Sequence, residues 1–130
     1  MQGAAVVILV VEDDQLIQGL VSEALGEGGF EVEISVTGEE AITLLQNDKS
    51  KYRALVTDIN LRGKRDGWEV GHRARELKPE IPVIYMTGAA ADQWAANGVP
   101  NSVLLNKPFA PAQLITAVSQ LLNQSPLAPT

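Results

Sequence analysis

The chain of 130 residues fits one domain, because domains run to roughly 100–200 residues, and its 45% hydrophobic and 20% charged content is that of an ordinary globular fold. Cysteine is absent, which excludes disulfides, thiol catalysis and cysteine-held metals, and the net charge of −6 argues against nucleic acid as a direct partner. The longest apolar run, residues 4–11, falls far short of the roughly 20 residues that span a membrane and has no basic leader, so a cytoplasmic location is expected, with neither a membrane span nor a signal peptide.

Residues 6–11 are aliphatic on consecutive positions, which predicts a strand covered on both faces of a parallel sheet. On the helix that follows, Leu16, Leu20 and Ala24, with Ile17, Val21 and Leu25, recur four residues apart and predict a wide apolar face; Gly28 and Gly29 stop it. A second strand is predicted over 32–36. Thr37 with Glu40 then forms a capping-box signature, opening a second helix that turns Ala41, Leu44 and Leu45 inward. The third strand covers 54–57, and Asp66 with Glu69 repeats the capping signature before a third helix that ends at Pro79. On that helix Trp68 is expected to pack, and His72, the single histidine, to lie at the surface with no special role. Residues 83–86 form the fourth strand. A short, weakly hydrophobic fourth helix over 90–96 closes at Asn97 and Gly98; its Trp94 is a packing group or, if exposed, a partner contact. The fifth strand, 102–105, leads to a fifth helix beginning at Pro111 and turning Leu114, Ile115, Val118, Leu121 and Leu122 inward. Residues 125–130 are small and proline-containing and are expected to be a flexible tail, leaving 1–124 as the domain.

Strict alternation of strand and helix predicts an α/β fold, a single-domain doubly wound (βα)5 sandwich of flavodoxin-like type with parallel strand order 2-1-3-4-5. Ligands of such sheets bind at the carboxyl ends of the strands, in the crevice between strands 1 and 3. Strand 1 ends in Glu12, Asp13 and Asp14, strand 3 in Asp58, strand 4 in Thr87 and Gly88, and strand 5 runs into Lys107 and Pro108. Neighbouring strands lie about 4.8 Å apart, so acids, a hydroxyl and a lysine converge on one edge. Two carboxylates about 4 Å apart repel by roughly 4 kcal/mol at an effective dielectric near 20. A hard divalent cation such as Mg2+ relieves that repulsion, and a carboxylate beside it is a candidate nucleophile toward phosphorus. Asp14 is equally suited to capping the first helix.

Taken together, residues 8–14 (Ile-Leu-Val-Val-Glu-Asp-Asp), Asp58-Ile59-Asn60-Leu61, Met86-Thr87-Gly88 and Lys107-Pro108-Phe109 resemble the receiver domain of two-component response regulators over about residues 6–123. The resemblance implies that Asp58 accepts a phosphoryl group from a phosphohistidine on a histidine kinase or histidine phosphotransfer protein. It implies Mg2+ (or Mn2+) as cofactor, held by Asp13 directly, Glu12 through water, Asp58 and the backbone carbonyl of Asn60. Thr87 corresponds to the hydroxyl that moves toward the phosphate and Lys107 to the lysine that pairs with it, and the Lys107–Pro108 bond is expected to be cis. Phosphorylation is then expected to switch the surface of the fourth helix, fifth strand and fifth helix for a downstream protein or self-association, in a signalling phospho-acceptor rather than an enzyme.

The chain departs from the family pattern in three places. Leu104 stands where an aromatic switch residue is usual, Glu12 replaces the commoner aspartate, and the loop Leu61-Arg62-Gly63-Lys64-Arg65-Asp66-Gly67 is one residue longer and lacks a proline. Gly88 leaves the site open to water, and Asn60 and Ala89 are expected to tune phosphate lifetime. Three other readings compete: a metal-dependent phosphatase with an aspartyl nucleophile, a flavin-binding protein, and a receiver-like scaffold that is never phosphorylated. A phosphatase of that kind places its nucleophile on strand 1, and three acids after strand 1 would repel a flavin phosphate.

Overall fold

One sheet of parallel strands, in the order β2-β1-β3-β4-β5, organises the computed structural model, which describes residues 5–124. In chain order the elements are β1 (Val7–Val11), α1 (Gln15–Glu27), β2 (Glu31–Ser35), α2 (Gly38–Asn47), β3 (Tyr52–Asp58), α3 (Gly67–Leu77), β4 (Val83–Thr87), α4 (Trp94–Asn97), β5 (Val103–Asn106) and α5 (Pro111–Gln124). A 3₁₀ turn at Ala91–Gln93 leads into α4. The fold class and strand order are those the alternation predicts. The strands differ from expectation only at their ends, most at β3, which starts at Tyr52 and runs through Asp58. The expected tail at 125–130 lies outside the described residues.

The helices cover both faces, which is why the central strands read as unbroken apolar runs: Ile8, Leu9, Val10 and Val11 are all fully buried. Successive side chains alternate between two cores. On one face Leu9, Val11, Leu55 and Tyr85 meet Ala41 and Leu45 of α2 and Trp68 and Val70 of α3. On the other, Ile8, Val10, Val56, Ile84 and Met86 meet Val21 and Leu25 of α1 and Leu114 and Val118 of α5.

Local chemistry sets the helix ends. At α3 the capping box is complete: Asp66 accepts from the Glu69 N–H at 2.9 Å, and Glu69 accepts from the Asp66 N–H. Asp66→Ala is expected to lower stability by about 1 kcal/mol, read as a fall in the urea midpoint at constant slope. At α2 the Thr37 hydroxyl accepts from the Glu40 N–H as expected, but Glu40 reaches the Val36 N–H and the Ser35 hydroxyl rather than the cap residue's own N–H. Asp14 caps α1, accepting from the Leu16 N–H at 2.9 Å. Gly28 ends that helix and Gly29 follows at φ 91°, a conformation that favours glycine.

Two expectations need correction. The apolar face of α1 is narrower than its periodicity predicts: Val21, Ala24 and Leu25 are buried, whereas Leu16 is 80% and Leu20 58% exposed. Those two lie on a flank of α1 that no other element among the described residues covers. His72 is at the surface but not idle, since its Nε2 bonds to the Asn97 carbonyl at 2.8 Å and ties α3 to the end of α4. Among the described residues no helix is long and apolar enough to cross a membrane.

Candidate functional site

β1 delivers Glu12 and Asp13 to the carboxyl edge of the sheet, and β3 delivers Asp58 beside them. One carboxylate oxygen from each of the three lies within 4.8 Å of the others. Glu12 is 1% exposed, and its carboxylate accepts from the Asp14 N–H at 3.1 Å. Its backbone carbonyl accepts from the Gln18 side chain, which fixes the β1–α1 turn. Asp58 is nearly buried, with Oδ1 accepting from the Ile59 N–H at 2.9 Å. Burial pushes the carboxyl pKa of both Glu12 and Asp58 above the usual range, with Lys107 opposing the rise in each.

Lys107 closes the corner from the end of β5. Its Nζ lies 3.1 Å from Glu12 Oε1 and 3.2 Å from Asp58 Oδ2. Burial works against the ammonium charge, but the Asp58 and Glu12 carboxylates outweigh it and hold the Lys107 pKa above the usual value. The Lys107–Pro108 peptide bond is cis. Three carboxylates against the half-buried Lys107 ammonium and the exposed Arg62 guanidinium leave the corner net negative, and the carboxylate ligand atoms are all oxygen. The residues present therefore fit a hard divalent cation bound by carboxylates.

Thr87 ends β4, fully buried, with its hydroxyl accepting from the N–H groups of Ala89 at 3.1 Å and Ala90 at 2.8 Å. Gly88 is exposed, and a Cβ built there meets nothing within 4 Å. Asn60 lies exposed in the turn after β3. Leu104 is partly buried and pairs in register with Tyr85 of β4. Tyr85 is itself fixed: its hydroxyl accepts from the Val99 N–H at 3.1 Å, and its ring packs on Trp68 with centroids 4.8 Å apart. Trp94 is 37% exposed, and its indole N–H donates to Ser102.

The loop after β3 holds what the sequence does not disclose. The Arg62 N–H donates to Asp13 Oδ2, the Lys64 N–H donates to Glu39, and Arg65 pairs with Glu69. Arg75 of α3 donates to the carbonyls of Ile81 and Pro100, so that α3 grips the α4–β5 connection through Arg75 and His72 together. Gly63, at φ 94°, is the one sequence signal that this loop turns sharply.

The sequence profile of the response regulator receiver domain matches residues 8–119. A response regulator receiver protein from Sinorhizobium medicae is 44% identical, superposes with a TM-score of 0.89, and covers 92% of this chain and 96% of its own. The receiver domain of a sensor histidine kinase from Pseudomonas aeruginosa, solved with a magnesium ion coordinated in its active-site cleft, is 25% identical with a TM-score of 0.80, covering 93% of this chain and 100% of its own. The response regulator MprA of Mycolicibacterium vanbaalenii is 29% identical over 120 residues, 91% of this chain and 51% of that protein. The chain spans about half the length of the curated relatives it matches.

Proposed function

Because the chain belongs to the response regulator receiver domain family of two-component signalling, we propose that Asp58 is its phospho-acceptor, charged by a phosphohistidine on a histidine kinase or histidine phosphotransfer protein. The observation that carries this reading is Lys107 bridging Glu12 and Asp58 at 3.1 and 3.2 Å. That contact gathers a nucleophile, an acidic pair and a cation at the switch point of the sheet.

The Ile59 N–H holds Oδ1 of Asp58, which leaves Oδ2, beside Lys107, to attack phosphorus. A P–O bond forms as the P–N bond to the donor imidazole breaks, and the electron pair returns to the ring nitrogen. Lys107 then pairs with a phosphoryl oxygen and offsets its charge. Asp13 directly, Glu12 through water, Asp58 and the Asn60 carbonyl would hold Mg2+ (or Mn2+), which supplies positive charge against the carboxylates and the phosphoryl oxygens. Gly88 leaves the acyl phosphate open to water, with Asn60 and Ala89 flanking it and tuning its lifetime.

Thr87 transmits the change. Its hydroxyl can turn to the phosphate only by giving up the Ala89 and Ala90 N–H groups, which loosens the turn leading into α4. Ala90 is buried, but neither the 3₁₀ turn at Ala91–Gln93 nor α4 contains a buried residue, so few apolar contacts hold that stretch beyond the His72 bond at its end. With Leu104 in place of an aromatic and Tyr85 fixed by Val99 and Trp68, this path replaces a swinging ring. In a Trp68→Phe background, Trp94 fluorescence is expected to change when a beryllofluoride phosphate mimic is added with Mg2+. The change is expected to vanish in Thr87→Ala; a change that survives would place the switch elsewhere.

The exposed Leu16 and Leu20, with Ile17, Phe109 and Pro111 alongside, form the apolar surface that fits docking of the phosphodonor. The α4–β5–α5 surface is the output face, meeting a downstream protein or a second copy. A cytoplasmic location goes with this role, with neither nucleic acid nor membrane as a direct partner. The test is incubation with acetyl phosphate: protein-bound phosphate that requires Mg2+ and is absent in Asp58→Asn is the expected result. No uptake would leave a receiver-like scaffold, and turnover of phosphoesters would make the protein a phosphatase.

A further inference from the structure

Arg62 meets one oxygen of Asp13 twice. Its backbone N–H donates to Oδ2 at 3.1 Å, and its guanidinium Nε lies 3.7 Å from the same atom. The loop that carries it is anchored on the far side as well, where the Lys64 N–H donates to Glu39 Oε2 at 2.9 Å. That hydrogen bond holds the Glu39 carboxyl below its usual pKa, and Gly63, at φ 94°, turns the chain between the two anchors. The loop thereby keeps Arg62 at a mouth it shares with Asp13, Gln15, Gln18 and Val36. Among the described residues Asp13 has no other ion-pair partner, and Lys107 is committed to Glu12 and Asp58.

Resting on the reading of Asp13 as a metal ligand, we propose that Arg62 is the resident counter-ion of Asp13 and a positioning residue that sets the affinity of the corner for divalent cations. Its two contacts do different work. The backbone N–H aims the carboxylate and survives any side-chain change except proline. The guanidinium neutralises the same carboxylate and repels an arriving cation, which must share Oδ2 with it or push it aside. The side chain is 78% exposed and the Asp13 side chain 17%, so the pair is screened by water and salt and its effect is modest.

The test is a titration of the whole chain with Mg2+ alone, followed by the amide NMR signals of Asp13 and Arg62, for the wild type, Arg62→Ala and Arg62→Lys. Arg62→Ala is expected to bind Mg2+ about two- to fivefold more tightly at low ionic strength, with the gap closing as salt is raised. Arg62→Lys is expected to stay near the wild type. A role confined to holding the loop would instead leave Arg62→Ala unchanged or weaker, and either result overturns the proposal while the phospho-acceptor reading stands. A wild-type protein that takes no Mg2+ at all overturns both.

Discussion

Gly67→Ala is expected to lose about 3 kcal/mol of stability or more, the largest effect of any single methyl at the site. A Cβ at residue 67 would overlap the Asp58 carbonyl oxygen and lie 2.7 Å from the Ile59 Cα. Both are backbone atoms and cannot rotate away. The Gly67 N–H also donates to the Ile59 carbonyl at 2.8 Å, so α3 cannot retreat without breaking the bond that seats its first turn. Relief would come by shifting the end of β3, which moves Asp58 away from Lys107. The urea midpoint is expected to fall at unchanged slope, with phosphate uptake slowed in the protein that remains folded. A loss below about 1 kcal/mol would show that the close approach of α3 to Asp58 is not needed.

Asp58→Asn is expected to do the opposite to stability, raising it by about 1–2 kcal/mol near neutral pH while removing phosphate uptake. The Asp58 carboxyl titrates above its ordinary value of 3.8, first because burial disfavours its charge. A carboxyl whose pKa is raised by folding binds its proton more tightly in the folded state. Its ionisation therefore costs nothing below the unfolded pKa, and the cost builds as pH rises through the folded pKa. The stability gained in Asp58→Asn should be greatest at about pH 7, shrink as pH falls through the raised folded pKa, and be gone at about pH 3, below the ordinary value of 3.8. Lys107 keeps Glu12 as its partner at 3.1 Å, so the variant does not strand the half-buried ammonium. Denaturation curves at the two pH values check this, and a variant less stable than the wild type at neutral pH would show that the Lys107–Asp58 pair outweighs the cost of burying it.

Much of this corner is legible in the sequence because strand ends are. Runs such as residues 6–11 and 83–86 mark buried strands, alternation with helices fits the doubly wound order 2-1-3-4-5, and that order brings Glu12, Asp13, Asp58, Thr87 and Lys107 to one edge. What stays hidden depends on groups that local pattern does not connect. Periodicity places Leu16 and Leu20 on one side of α1 but does not say whether another element covers that side. The Arg62–Asp13 contact joins residues 49 apart in the chain through a loop whose path hangs on Gly63. His72 finds the Asn97 carbonyl only because α3 and the end of α4 meet in space. The capping pair Thr37 and Glu40 was predictable, yet Glu40 chose the neighbouring Val36 N–H, a matter of rotamer rather than residue type.

The central claim is that one carboxylate, at the end of β3, captures phosphorus. The direct measurement is to phosphorylate the protein with acetyl phosphate and Mg2+, reduce the acyl phosphate with borohydride, and locate the modified residue by tandem mass spectrometry. Homoserine is expected at position 58, and none in a sample from which Mg2+ was withheld. Modification at Asp13 or Asp14 instead, or labelling of Asp58 that is indifferent to Mg2+, would contradict the claim.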